Sequence, residues 1–194
     1  MRVHGGKLIR RREGIVDLKH YSAGKEILKQ DFGNMCGYCG KNSTIMKERF
    51  HIDHFVPKSL APERENDYYN LVLACPKCNL SKSDKWPTKD KNLANDGKVG
   101  FVDPASEEYD KHMERDEQGF VKGTTPLGEH MCNSLHFDVR RTDLYWKIQE
   151  LYRIQMGLEQ LAENGKLSEE EWRYYMKSNQ FLKKYIEEAF ENGE

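Results

Sequence analysis

The sequence predicts an α+β chain: a small turn-rich module with short strands, stapled by a four-cysteine metal site, followed by a C-terminal helical hairpin. Two C-x-x-C units, Cys36-Gly-Tyr-Cys39 and Cys75-Pro-Lys-Cys78, supply four thiolates, the tetrahedral set that structural Zn²⁺ prefers. Between them lie short apolar runs broken by turn residues, with no sustained helical period. Beyond about residue 140 the pattern changes, and apolar residues recur at helical spacing.

In chain order, residues 22–30 read as a short helix with Ile27 and Leu28 inward, closed near Gly33 and Asn34. Residues 49–55 alternate well enough for a strand, and residues 69–74 form a short buried run. A short helix is expected from Leu80, stopped at Trp86 because the residue before Pro87 disfavours helical dihedrals. Residues 88–98 form a polar loop. Residues 99–102 and the turn at Asp116-Glu117-Gln118-Gly119 suggest small strands or a hairpin. Thr125 and Pro126 open a further helix, threonine at the N-cap and proline at the first helical position.

The last third has the clearest pattern. Leu144, Ile148, Leu151, Leu158 and Leu161 share one face up to Asn164 and Gly165. Ser168-Glu-Glu-Glu171 is a capping box, after which Trp172, Tyr175, Met176, Leu182, Ile186 and Phe190 continue the pattern. The expected divisions are 1–35, a basic segment with a short helix; 36–92, the metal-stapled module; and 93–194, a mostly helical extension.

Composition narrows the function classes. Lys and Arg number 31 against 32 Asp and Glu, so the basic excess usual in a nucleic-acid binder must be local or come from a partner. No apolar run approaches membrane-spanning length; the longest is near residues 71–75. The basic Arg10-Arg11-Arg12 lacks the following apolar stretch of a signal peptide. Five cysteines argue against a closed disulfide framework and, with the rest, point to a reducing cytoplasm; Cys132 is the one left over.

The chemistry sits between the knuckles. His51-Ile-Asp53-His54 and Asn79, directly after the last cysteine, supply hard oxygen ligands and an imidazole base, a set suited to Mg²⁺-assisted work on a phosphodiester. Neighbours on a regular strand face opposite ways, so Asp53 and His54 can share a site only at a strand end or distortion, which Pro57 makes plausible. Lys58, Lys82 and Lys85 flank the motif as candidate contacts to substrate phosphates. His51, two residues before Asp53, is a further candidate for metal or phosphate. Arg10-Arg11-Arg12 and Arg140-Arg141 are candidates for backbone contact.

Taken in order, Cys36-x-x-Cys39, Ile52-Asp53-His54-Phe55-Val56-Pro57-Lys58-Ser59 and Asn70-Leu71-Val72-Leu73-Ala74-Cys75-Pro-x-Cys78-Asn79-x-x-Lys82 resemble the HNH endonuclease family over about residues 36–85. The resemblance implies a ββα-metal fold: two strands and a helix clamped around one divalent ion. By position it implies His54 as general base, Asn70 as the brace of the active-site loop, and Asp53 and Asn79 as ligands. The third motif letter is Asn here, a harder donor than His, which favours Mg²⁺ or Mn²⁺ in that site.

A noncatalytic four-cysteine module binding DNA or protein is the alternative, but it gives the Asp-His-Asn set no purpose. A zinc hydrolase using His51, Asp53 or His54 as ligands leaves the four cysteines without a shared role. The family resemblance implies DNA as substrate. In size the chain resembles restriction, mobile-element and anti-phage nucleases, including nuclease subunits that pair with ATPases in Septu-type defence. The expected partners are therefore an ATPase or other protein at the C-terminal helices, or a second copy of the chain.

Overall fold

The structure is a computed structural model describing residues 1–16 and 18–192; Asp17 and the last two residues of the expected C-terminal division lie outside the description. Two compact units are present, Met1–Val139 and Arg140–Glu194.

In the first unit, a 3-10 turn, Tyr21–Gly24, leads into α1 (Lys25–Asp31), which buries Leu28. The helix ends where Gly33 and Asn34 take φ of 58° and 60°, the left-handed conformation that closes many helices. The expected strands form as β1 (His51–His54) and β2 (Leu71–Ala74), paired antiparallel from His51↔Ala74 to His54↔Leu71. β2 is buried along its whole length, which explains its unbroken apolar run. Its outer edge is also covered. The Arg11 guanidinium donates to Leu71 O at 3.0 Å and the Gly37 amide to Leu73 O at 2.8 Å.

α2 (Pro76–Lys82) follows β2 at once, so the helix begins four residues before the expected start at Leu80. Its N-cap is Cys75, whose sulfur accepts the Cys78 amide at 3.5 Å, and Pro76 fills the first helical position. A thiol is not among the usual capping side chains, so the start was hidden. The helix ends at Lys82 because Ser83 turns to φ 44°, ψ −135°, which strains any side chain but glycine.

Residues 93–139 complete the same unit. No strand forms at residues 99–102; Gly100 makes a single bridge to Asn95, and Phe101 is fully buried. Short α3 (Tyr109–His112) precedes a hairpin of β3 (Met113–Arg115) and β4 (Val121–Gly123), turning at Asp116 as expected. The Asp116 carboxylate accepts the amides of Gln118 at 3.0 Å and Phe120 at 2.9 Å. α4 (Pro126–Ser134) is capped by Thr125, whose hydroxyl accepts the Gly128 amide at 3.1 Å. It lies close to its neighbours through Gly128, where a Cβ would stand 1.9 Å from His112 O. The chain start joins this layer: Met1 and Arg115 exchange backbone bonds of 2.8 and 2.7 Å.

The second unit is a helical hairpin, α5 (Thr142–Glu163) and α6 (Glu169–Glu191). Gly165, at φ 63°, turns the chain, and the expected capping box forms: the Ser168 hydroxyl accepts the Glu171 amide and Glu171 Oε2 accepts the Ser168 amide. Gln155 donates to Asn179 at 2.8 Å and the Tyr175 hydroxyl to Glu159 at 3.0 Å, fixing the helices antiparallel. Among the described residues, no helix is long and apolar enough to cross a membrane.

Candidate active site

The four knuckle cysteines come together as expected. Their sulfurs lie within 4.8 Å of one another, all buried and none in a disulfide. Burial pushes the Cys36 and Cys78 thiols well above the ordinary cysteine range; Cys39 and Cys75 push both the same way, while Cys78 opposes the shift at Cys36. Ionising such a set takes a cation among the sulfurs, so the cluster fits a tetrahedral zinc site. Four thiolates around Zn²⁺ carry a net charge of about −2, and cationic groups stand nearby to offset it. Arg115, fully buried, donates to Cys39 O at 2.7 Å; Lys41, also buried, lies next to the first knuckle and pairs with Glu48 at 3.0 Å.

Each knuckle also places a group at a second site. The Tyr38 hydroxyl, from inside the first knuckle, donates to Asp53 Oδ2 at 2.6 Å. Asn79, one residue past the second, lines an open cleft with Asp53, His54, Lys58, Ser83 and Asp84. Lys82 reaches the same carboxylate from α2: Nζ lies 3.3 Å from Asp53 Oδ2 and donates to His54 O at 2.9 Å. Burial pushes the Asp53 carboxyl up, opposed by Lys82 and Tyr38, and pushes the Lys82 ammonium down, opposed by Asp53. Both described hydrogen-bonding partners of Asp53 use Oδ2.

β1 ends at His54, and this end lets strand neighbours share the cleft. The His54 ring is edge-on to Tyr21, with centroids 5.0 Å apart, and its Nε2 lies 2.8 Å from Glu65 O. A carbonyl oxygen only accepts, so Nε2 carries the proton and Nδ1 keeps its lone pair. Burial lowers the His54 pKa, with the Glu65 carbonyl opposing, so the neutral ring is the form present at pH 7. Asn70 is fully buried; its Oδ1 accepts the Val56 amide at 2.8 Å, and its Nδ2 donates to Val56 O at 3.1 Å and Arg64 O at 3.3 Å. It ties together the two ends of the loop that carries Pro57, Lys58 and Glu65.

The flanking cations divide. Lys58 faces the cleft, half exposed, paired with Glu65 at 3.1 Å and lying over the Tyr21 ring. Lys85 is surface-exposed and donates to Ser134 O at 2.9 Å. Lys82 corrects the expectation of a phosphate contact: it is 0% exposed, because Asp53 draws its ammonium inward and Phe101 covers it at 5.8 Å. His51 is exposed on β1, its Nδ1 3.3 Å from Asn79 Nδ2. Arg11 is engaged with Leu71 O and with Asp103 at 2.7 Å, a structural use of one expected basic contact. The sequence reading missed Tyr38 and Glu65. Tyr38 had one signal, its place inside a knuckle; Glu65 acts through its backbone and had none.

Residues 36–85 match the family model described as HNH endonuclease. Among curated proteins, none matches the chain. The chain carries an HNH endonuclease domain over residues 36–85, built as two strands and a helix beside a four-cysteine cluster that fits zinc.

Proposed function

We propose that the chain is a metal-dependent endonuclease that hydrolyses DNA phosphodiester bonds at the cleft formed by Asp53, His54 and Asn79. The observation that carries this reading is the 2.8 Å contact from His54 Nε2 to Glu65 O, beside a carboxylate and an amide in one open cleft. His54 Nδ1 takes a proton from a water, and the resulting imidazolium is held by its bond to Glu65 O. Asn70 holds the loop that supplies that carbonyl. Tyr38 and Lys82 fix Asp53 so that Oδ1 and the Asn79 amide oxygen can serve as hard ligands. These oxygens would hold Mg²⁺ or Mn²⁺, which when bound would supply Lewis-acid charge to the reaction. Cys36, Cys39, Cys75 and Cys78 would hold zinc apart from this site, and the knuckles so closed would fix Tyr38 and Asn79.

His54→Ala tests the reading on supercoiled plasmid with added Mg²⁺ or Mn²⁺. Cutting should fall by about 10²–10⁴-fold, with zinc content and the circular dichroism of the folded chain unchanged. Cutting at the parent rate refutes the assignment. For biological setting we propose restriction, mobile-element or anti-phage defence, supported by resemblance in size and family alone. Phage plating on cells with and without the gene and its neighbours tests it; equal plating for every phage and plasmid challenge removes this setting and leaves the chemistry standing.

A further inference from the structure

α6 carries a second apolar stripe beside the one it turns to α5. Its α5 side is Tyr175, Ser178, Leu182, Tyr185 and Ala189, all buried or half-buried. One residue further round, Trp172, Met176, Asn179, Lys183, Ile186 and Phe190 follow one another at alternating spacings of 4 and 3, the period of a coiled-coil seam. The four apolar members are open: Trp172 is 52% exposed, Met176 49%, Ile186 37% and Phe190 80%. A helical hairpin with such a seam uncovered resembles half of a larger bundle.

The order of residues along the seam says what covers it. Read in either direction it runs apolar, apolar, polar, polar, apolar, apolar. A two-fold axis level with residue 181 therefore sets Trp172 of one copy against Phe190 of the other and Met176 against Ile186, while Asn179, whose Oδ1 accepts from Gln155 of α5, lies level with Lys183. The flanking row is complementary about nearly the same point. Arg173, Gln180 and Glu187 line one edge of the seam, and the axis brings Arg173 of each copy to Glu187 of the other, with Gln180 meeting Gln180. These charges are available, at 82% and 62% side-chain exposure, and their contacts within the helix, to Glu169 at 3.8 Å and Lys183 at 4.0 Å, are long. A parallel pairing would instead set this row against the opposite edge of the partner helix, Tyr175, Leu182 and Ala189, and pair none of these charges. We infer that the chain dimerises through α6, antiparallel to α6 of a second copy, in an isologous coiled-coil contact.

Sedimentation velocity on the zinc-loaded full chain, over a concentration series, provides the test. A species of twice the 22.8 kDa chain mass is expected. Glu187→Arg should raise the dimer dissociation constant by about tenfold or more, because both symmetric ion pairs become repulsions. Arg173→Glu should do the same. The double variant R173E/E187R should return the constant to within about threefold of the parent, although both swaps set like charges against Glu169 and Lys183 within the helix. Circular dichroism confirms that each variant keeps its helices. A chain that stays monomeric throughout, or that associates only with a different protein, overturns the inference. So does a dimer indifferent to Glu187→Arg, or one that the double variant fails to restore.

Discussion

In Met1–Val139 the decisive contacts are long-range and polar, whereas in Arg140–Glu194 they are local or lie along one helix seam. Arg115 donates to Val3 O, 112 residues away in sequence, and Tyr109 to Tyr38 O, 71 residues away. The hairpin instead rests on α5 and α6, 22 and 23 residues long, each reading out its own caps and periodicity. The difference separates two sources of order. Short strands of four residues and helices of seven cannot hold themselves, so the first unit depends on its cysteine cluster, which fits zinc, and on buried ion pairs. The second depends on helix propensity and side-chain packing.

Removing a zinc ligand gives the largest expected effect and the sharpest separation of the units. Cys78→Ser should reduce bound zinc below one equivalent per chain and remove stabilisation on the order of 10 kcal/mol from the first unit. Near-ultraviolet circular dichroism should lose its tertiary signal, while much of the far-ultraviolet helical signal, carried by α5 and α6, remains. Unchanged zinc in the variant would sink the four-cysteine site. Loss of all helical signal in one step would show instead that the hairpin depends on the module.

Next in size is the buried cation. Lys82→Ala leaves Asp53 as a buried carboxylate without its ammonium, which should cost about 3–5 kcal/mol in denaturant unfolding. The salt dependence of DNA binding should not change, since this ammonium faces inward. Lys58→Ala should leave stability within about 0.5 kcal/mol and reduce the salt slope by about one. A slope that falls for Lys82→Ala and not for Lys58→Ala reverses the two assignments.

Tyr38→Phe sharpens the link between cluster and cleft. It removes one hydrogen bond to a charged acceptor, worth about 1.5–3 kcal/mol, and keeps the ring in place. Zinc content should hold while the Mg²⁺ concentration needed for half-maximal cutting rises, because Asp53 loses one of its two restraints. An unchanged Mg²⁺ requirement argues that Lys82 alone positions the carboxylate.

How much of this was legible follows the same division. The turn between the hairpin helices could be read because Gly165 and the Ser168 box are local signals. The four cysteines could be read because ligand chemistry restricts residue type and spacing, whereas the roles expected of Asp53, His54, Asn70 and Asn79 came from resemblance to the HNH endonuclease family. The start of α2 was not legible, since a thiol serves as its cap. Burial of Lys82 was not either, because its cover, Phe101, comes from 19 residues further along the sequence. The orientation of His54 rests on a backbone carbonyl at Glu65, and a carbonyl belongs to every residue type.

The smallest effect tests whether the hairpin is as local as the comparison requires. Ser168 caps α6 by accepting the Glu171 amide at 3.2 Å, and Glu171 returns the bond to the Ser168 amide at 2.8 Å. Ser168→Ala removes one half of that exchange and should cost about 1 kcal/mol. The loss should appear as fraying of the first turn of α6, seen as faster amide exchange near Glu169 to Trp172, because the capped amides are the ones left without a partner. Exchange in β2 and α2 should not change, and neither should zinc content or plasmid cutting. Ser168→Asp should recover the cap and add a favourable charge at the helix start, though Glu169, Glu170 and Glu171 already crowd that turn. Recovery by Asp should therefore be partial. Equal loss in Ala and Asp variants would mean that the box is held by Glu171 alone, and a change in cutting would mean that the two units are not independent.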